Sequence, residues 1–329
     1  MLIVDFIVYG DIRWNIQRED PTTVRLKSFP GWYFINPLAM LSPRVKSEVN
    51  PIPMSKDECH LHSNTLSFRV PQGEQEPARH MENIGQFLRK LRFVTKQSAL
   101  TSEIAGISTY EKKRMPKKPF PEPNKGRVLL FGSYRLKTAI TLSSIVDADE
   151  LGLALDVPVY ATMMLDALHA FENRDYRKAI LYGAISLESL ARAIALSDYN
   201  RLLEGDCDSA HLRVCEFQQA GDIVTKKDPV LDFLMKSEGF AKLLHEVPLY
   251  VSKRSLLIED QILYRNAVNL YRTRNKLSHG QDVADNGDNL FPTNEKGVRS
   301  ALECANKVFE WFGQTGYYVP VYDKVPIGR

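Results

Sequence analysis

Cysteine is scarce in this 329-residue chain: four residues, Cys59, Cys207, Cys215 and Cys304, with no Cys-x-x-Cys pair among them. Such scattering excludes a disulfide-stapled scaffold and suits a reducing compartment. Charge of one sign is also lacking, since 43 Lys and Arg stand against 40 Asp and Glu for a net +3. That balance admits an anionic partner without demanding one. Long apolar runs are rare. None is expected to span a bilayer, which takes roughly 18 residues, because the longest, KAILYGAISLESLARAIAL, is interrupted by Glu188 and Arg192. The opening MLIVDFIVYG has no basic leader and carries Asp5 inside its apolar run, so a strand is expected there rather than a signal peptide. No membrane partner is expected, and the expected location is cytoplasmic. A Gly-rich phosphate loop, a Ser–His–Asp set and an HExxH zinc motif are all missing. With no convincing carboxylate cluster for magnesium either, the expectation is no cofactor and no metal.

What is present divides the chain in two. Residues 1–150 read as an α+β domain of unknown role. LIVDFIVY and VRLKSF have strand character, and ECHLHSNTLSFRV carries the period-2 alternation of a half-buried strand. Prolines at 30, 37, 43, 51 and 53 cut the intervening region into loops. A helix is predicted from about Ala78 to Leu100, with Met81, Ile84, Phe87, Leu88, Leu91 and Val94 as its core stripe and Arg89, Lys90, Arg92 and Lys96 on its other faces. The Pro- and Lys-rich EKKRMPKKPFPEPNKG reads as an exposed loop. RVLLFGSY and AITLSSIV are predicted as two further strands.

Residues 156–312 read as helix throughout. VPVYATMMLDALHAFENRD and YRKAILYGAISLESLARAIALSDY are two strong helical patterns with a short polar break, which favours antiparallel neighbours. Weaker helices are predicted over about Ala210–Ala220 and Pro229–His245. A long one follows from about Ser255 to Ser278, and a last one from about Glu295 to Phe312. An extended tail, 313–329, ends the chain.

The stretch YRTRNKLSHG, Tyr271 to Gly280, concentrates Arg272, Arg274, Asn275, Lys276 and His279 before a glycine. Asn275 and His279 are four apart and share a helix face. Arg272, seven before His279, shares its face almost in register. The bland interpretation is a helix C-terminus, with cations on the last carbonyls and Gly280 as the left-handed C′ residue. Glu188 falls with Leu181, Ala184, Ile185 and Ala191 on an otherwise apolar face. A carboxylate there should seek a cation, and Arg274 and the in-helix neighbour Arg192 are the two candidates.

Two antiparallel helices followed by a long helix ending in Arg-Asn-x-x-x-His resemble the HEPN superfamily, over roughly Asp156 to Phe312. In its ribonuclease members an arginine, usually followed by a small polar residue, is separated from a histidine by four to six intervening residues. RNKLSH fits with Arg274, Asn275 and His279. Arg272 also fits the looser spacing, and Arg274 is preferred because Asn275 follows it. DALHAFENRDYRKAILYGAISLESLARAI is similar to the first two family helices, with Glu188 where the family often has an acid. The resemblance implies an all-α HEPN-like bundle acting as a metal-independent endoribonuclease. There the 2′-hydroxyl attacks its own phosphodiester, His279 moves protons, Arg274 stabilises the phosphorane and Asn275 orients either. It further implies a bacterial defence or toxin-type system with residues 1–150 as a sensor, specificity or regulatory module, and a homodimer with a composite active site, and it admits a regulatory protein partner. Arg272 and Lys276, with Lys112, Lys113, Arg114, Lys117 and Lys118 of the basic loop, are then candidate RNA contacts. The alternative is a non-catalytic HEPN-like module that binds nucleotide, RNA or a partner protein. A third interpretation is a helical domain in which RNKLSHG is only a cap.

Two metal constellations carry less. Cys207, His211 and Cys215 lie at i, i+4 and i+8, with no fourth ligand in evidence. Cys59, His60 and His62 lie on a predicted strand, with the two histidines facing the same way. His169 and His245 read as ordinary helix-surface or boundary residues.

Overall fold

Alternation builds the first half of the protein. In the computed structural model, β1 (Leu2–Gln17) pairs antiparallel with β5 (Glu58–Val70) in a register running from Leu2 opposite Val70 to Gln17 opposite Glu58, with a bulge between Ile7 and Ile12. β2 (Thr23–Arg25), β3 (Tyr33–Ile35), β4 (Ile52–Pro53) and β6 (Ile104–Tyr110) complete a six-stranded sheet of order β2-β3-β5-β1-β6, with β4 also on β5. Every pairing between these strands is antiparallel. The structure describes residues 2–40, 52–53, 55–71, 77–98, 100–101, 103–110, 139–151, 157–203, 239–252, 254–281, 283 and 289–314. The chain divides into two units, Met1–Val157 and Pro158–Arg329.

On one face of the sheet Phe6, Trp14, Phe34, Leu66 and Phe68 are buried. They meet α2 (Pro77–Thr95) through Ile84, Phe87, Leu88 and Leu91, and α3 (Leu142–Glu150) through Leu142, Ile145 and Ala148. The short α1 (Pro37–Met40) puts Ala39 against Ile3 and Ile35 in a small separate cluster.

Local chemistry explains where this half departs from its sequence pattern. AITLSSIV is not a strand: only Ile140 bridges to Trp14. Thr141 then caps a helix, its Oγ1 accepting from the Ser144 N–H at 3.2 Å. Leu142, Ile145, Ala148 and Asp149 come next, buried at helical spacing. VRLKSF shortens to β2 because Asp149 takes the backbone N–H groups of Lys27 and Ser28, at 2.5 and 3.0 Å, that a longer strand would have spent on a neighbour. α2 stops at Thr95, and Lys96 follows at φ +53°. β6 went unpredicted, its IAGISTY being too polar to stand out. RVLLFGSY and the Pro- and Lys-rich loop lie outside the described residues.

The second half is helical. α4 (Val159–Glu172) and α5 (Tyr176–Leu203) form the expected pair. α6 (Phe240–Leu243), α7 (Glu246–Ser252), α8 (Leu256–Glu259), α9 (Gln261–Ser278) and α10 (Glu295–Gly313) follow. α5 packs against α4, α9 and α10. Its approach to α10 needs Gly183, where a Cβ would fall 2.9 Å from Leu302 Cδ2. By length and composition Tyr176–Ser197 is long and apolar enough to cross a membrane, which corrects the expectation that no run is. In the structure it lines the helical core with Ala179, Ile180, Ala184, Leu187, Leu190 and Ala191.

The long helix predicted from Ser255 is two helices. Asp260 breaks it at φ −145°, ψ 85°, and its carboxylate accepts the Leu263 N–H at 2.9 Å as the cap of α9. The helix predicted at 210–220 and the tail beyond 314 lie outside the described residues, as does most of the one predicted at 229–245.

Candidate active site at the end of helix α9

α9 ends as its sequence dictates. His279 is the C-cap residue and Gly280 sits at φ +76°, where a Cβ would be strained. The Gln281 N–H reaches the Lys276 carbonyl and the Gly280 N–H the Leu277 carbonyl, both at 3.0 Å. This is the two-bond closure of a Schellman turn. The backbone beneath His279 is thereby fixed, and its imidazole is exposed. A buried threonine six residues earlier, Thr273, holds the following segment by accepting the Phe291 N–H at 3.2 Å.

Arg274 is held on three sides. Its Nη2 donates to Glu188 Oε2 at 2.6 Å and its Nη1 to Asn275 Oδ1 at 2.7 Å. The guanidinium lies over the Tyr271 ring, 5.1 Å from its centre, and Phe240 of α6 stacks on Tyr271 at 4.8 Å. A cation over a ring in this way gains attraction beyond its hydrogen bonds.

Glu188 serves both candidate cations. Arg192 donates Nε and Nη2 to its Oε1, at 3.0 and 2.8 Å, while Arg274 occupies Oε2. The Glu188 side chain is only 11% exposed, against 20% for Arg192 and 23% for Arg274. A carboxylate that deep is tenable because charge-assisted bonds fill both its oxygens.

The structure thus brings Arg274, Asn275 and Glu188 together. No hydrogen bond joins Arg274 to His279, since the guanidinium turns to Glu188 of α5. Arg272 is exposed, and Lys276 is half-buried. The loop residues Lys112, Lys113, Arg114, Lys117 and Lys118 lie outside the described residues, as do Cys207, His211 and Cys215.

The metal site considered at Cys59, His60 and His62 does not form. Cys59 points into the core, where burial pushes its thiol up to about 11, and the histidines alternate to the other face. Among the described residues no three His, Cys, Asp or Glu side chains gather as a metal site would require. His169 bonds Asn173 through Nε2 at 3.0 Å, and His245 Nδ1 lies 2.6 Å from Ser255 Oγ.

Sequence spacing missed two features of the helical unit. Arg177, in the first turn of α5, donates Nη2 to the Leu277 carbonyl at 2.8 Å, across 100 residues of chain. Glu259 pairs with Arg254 and accepts the Trp311 indole N–H at 2.8 Å. The Arg254 hydrogen bond leads the causes that hold its carboxyl down at about 2. Neither pairing repeats at helical spacing, the only signal that sequence reading had available.

Comparison of the chain with protein-family models, with curated proteins and with solved structures gave no match.

Proposed function

We propose that the helical unit is a metal-independent endoribonuclease of HEPN type, built on a HEPN-like bundle. The observation that carries this is Arg274, fixed by Glu188, Asn275 and Tyr271 on the last turns of a helix whose C-cap is an exposed histidine. A pre-organised guanidinium is what a pentacovalent phosphorane needs, because its donors are aimed before charge develops. An exposed imidazole can accept the 2′-hydroxyl proton as the new O–P bond forms. A second imidazole then returns a proton to the departing 5′-oxygen. One chain offers one such histidine at this helix end. A homodimer that juxtaposes two ends supplies both acid and base without further sequence. The products are a 2′,3′-cyclic phosphate and a 5′-hydroxyl. Within this reading RNA is the partner, and Arg272 and Lys276 contact it, as do Lys112, Lys113, Arg114, Lys117 and Lys118 of the basic loop. The first unit is a sensing or specificity module in a defence or toxin-type system, open to a regulatory protein, and the location is cytoplasmic.

One observation favours the second reading, a non-catalytic module that binds nucleotide, RNA or a protein. Arg274 is engaged by Glu188 and no hydrogen bond joins it to His279. The deciding experiment incubates purified protein with total RNA, with and without EDTA, beside His279→Ala, Arg274→Ala and Arg272→Ala. Cleavage that survives EDTA, leaves cyclic-phosphate ends and drops by roughly two to four decades in His279→Ala supports the nuclease. Arg274→Ala should fall comparably and Arg272→Ala less. Folded variants that cleave at the wild-type rate, or activity that EDTA removes and Mg²⁺ restores, refute it.

A further inference from the structure

Phosphate at the end of α9 faces an electrostatic difficulty. The C-terminus of a helix carries the negative pole of the macrodipole, equivalent to roughly half an elementary charge, and so repels an anion. His279 is the C-cap residue of that end. Arg274, the motif arginine, has both terminal nitrogens engaged by Glu188 and Asn275. It does not relieve the pole beside the imidazole.

Arg177 does. Its Nη2 donates to the carbonyl of Leu277, two residues before His279, and that carbonyl already accepts the Gly280 N–H. A guanidinium has five N–H donors in a planar fork, and among the described residues this one makes a single hydrogen bond to protein. The residue is exposed and has no ion pair among the described residues. Its acidic neighbour Asp175 is occupied, with its carboxylate on Lys178 at 2.9 Å and also accepting the Lys178 N–H. The chain therefore presents, within about one helical turn of the imidazole, a tethered cation whose remaining donors face solvent.

We propose that Arg177 is a second guanidinium, beside Arg274, that contacts the RNA phosphodiester next to His279. The proposal rests on the ribonuclease reading above. The tether to Leu277 cancels the negative pole, and the free edge of the fork takes a phosphate oxygen. No sequence motif marks the residue, because it reaches the site from the start of a different helix.

The test compares Arg177→Gln, which removes the charge but keeps an N–H donor, with Arg177→Lys, which keeps the charge. Two quantities are read: cleavage of single-stranded RNA, and the salt dependence of binding to a 2′-O-methyl oligonucleotide that has no attacking hydroxyl. Losing one phosphate contact should flatten the slope of log affinity against log salt by about 0.7 for a single strand. Arg177→Gln should show that flattening together with at least a tenfold loss of cleavage, and Arg177→Lys should keep the wild-type slope. A wild-type slope in Arg177→Gln overturns the proposal whether or not cleavage falls, because losing a mere helix-end strut leaves the number of phosphate contacts unchanged. If Arg177→Gln does not fold, phenylglyoxal modification of the wild-type protein replaces it. Protection of Arg177 by the 2′-O-methyl oligonucleotide, read by peptide mass spectrometry, supports the proposal, and full modification in its presence refutes it. Wild-type protein that cleaves RNA while Arg177→Gln matches it in rate and slope sinks this inference alone. Wild-type protein that neither cleaves nor binds RNA sinks the ribonuclease reading and this inference with it.

Discussion

Replacing Glu188 by alanine removes a carboxylate that two half-buried arginines share. At an effective dielectric of about 20, opposite charges about 4 Å apart attract by roughly 4 kcal/mol. Glu188 makes two such contacts, through bonds of 2.6 Å to Arg274 and of 2.8 and 3.0 Å to Arg192. Mutual repulsion of the two guanidiniums and the desolvation of a side chain only 11% exposed work against that sum. Breaking one partner out of a buried network typically costs about 3–5 kcal/mol. Because both arginines retain a fifth or so of their exposure, part of this is recovered as they swing into solvent, and about 3 kcal/mol is expected. For a unit the size of Pro158–Arg329, at about 2–4 °C per kcal/mol, the melting point should fall by roughly 6–12 °C. The assay is thermal and urea unfolding followed by far-ultraviolet circular dichroism, on Glu188→Ala, Arg192→Ala, Arg274→Ala and the corresponding double variants. Arg192→Ala should cost less than Glu188→Ala, because a one-to-one pair survives. Each double variant should show a coupling well above the 1 kcal/mol that bounds an exposed pair. A loss below about 1 kcal/mol in Glu188→Ala, with no coupling, would mean that the network is solvent-screened. Arg274 would then not be held in place before a phosphate arrives.

Two further outcomes follow from the same geometry. The Glu259 carboxyl is held at about 2 by its hydrogen bond from Arg254 and sits near 4.5 when unperturbed. Its contribution to stability is therefore complete above about pH 4.5 and drains away as pH falls through about 2, so Glu259→Gln should flatten that acid limb in a pH series of melting curves. An unchanged limb would refute the assignment. If two chains assemble the proposed site, folded His279→Ala protein added in excess should poison wild-type cleavage through mixed dimers, and sedimentation that finds an active monomer would end that idea.

Sequence by itself determined what depends on neighbours along the chain. ECHLHSNTLSFRV alternates, and β5 spans Glu58–Val70 as the alternation requires. The apolar periodicity on either side of ENRD produced α4 and α5, and the glycine after His279 fixed a left-handed turn at the end of α9. Local competition was harder to read. AITLSSIV has strand-like composition, yet the Thr141 cap and the burial of Leu142, Ile145 and Ala148 made Leu142–Glu150 a helix. The period through Ser255–Ser278 ran unbroken across Asp260, whose side chain nonetheless preferred to cap a new helix. The candidate site divides in the same way. That Glu188 needs a cation follows from a carboxylate on an apolar stripe. That it takes both Arg192 and Arg274 depends on how α5 and α9 pack. Arg177 and Leu277 meet across 100 residues. A contact of that length is decided by the burial of the surrounding core, because no periodicity in the chain encodes which two helix ends will lie side by side.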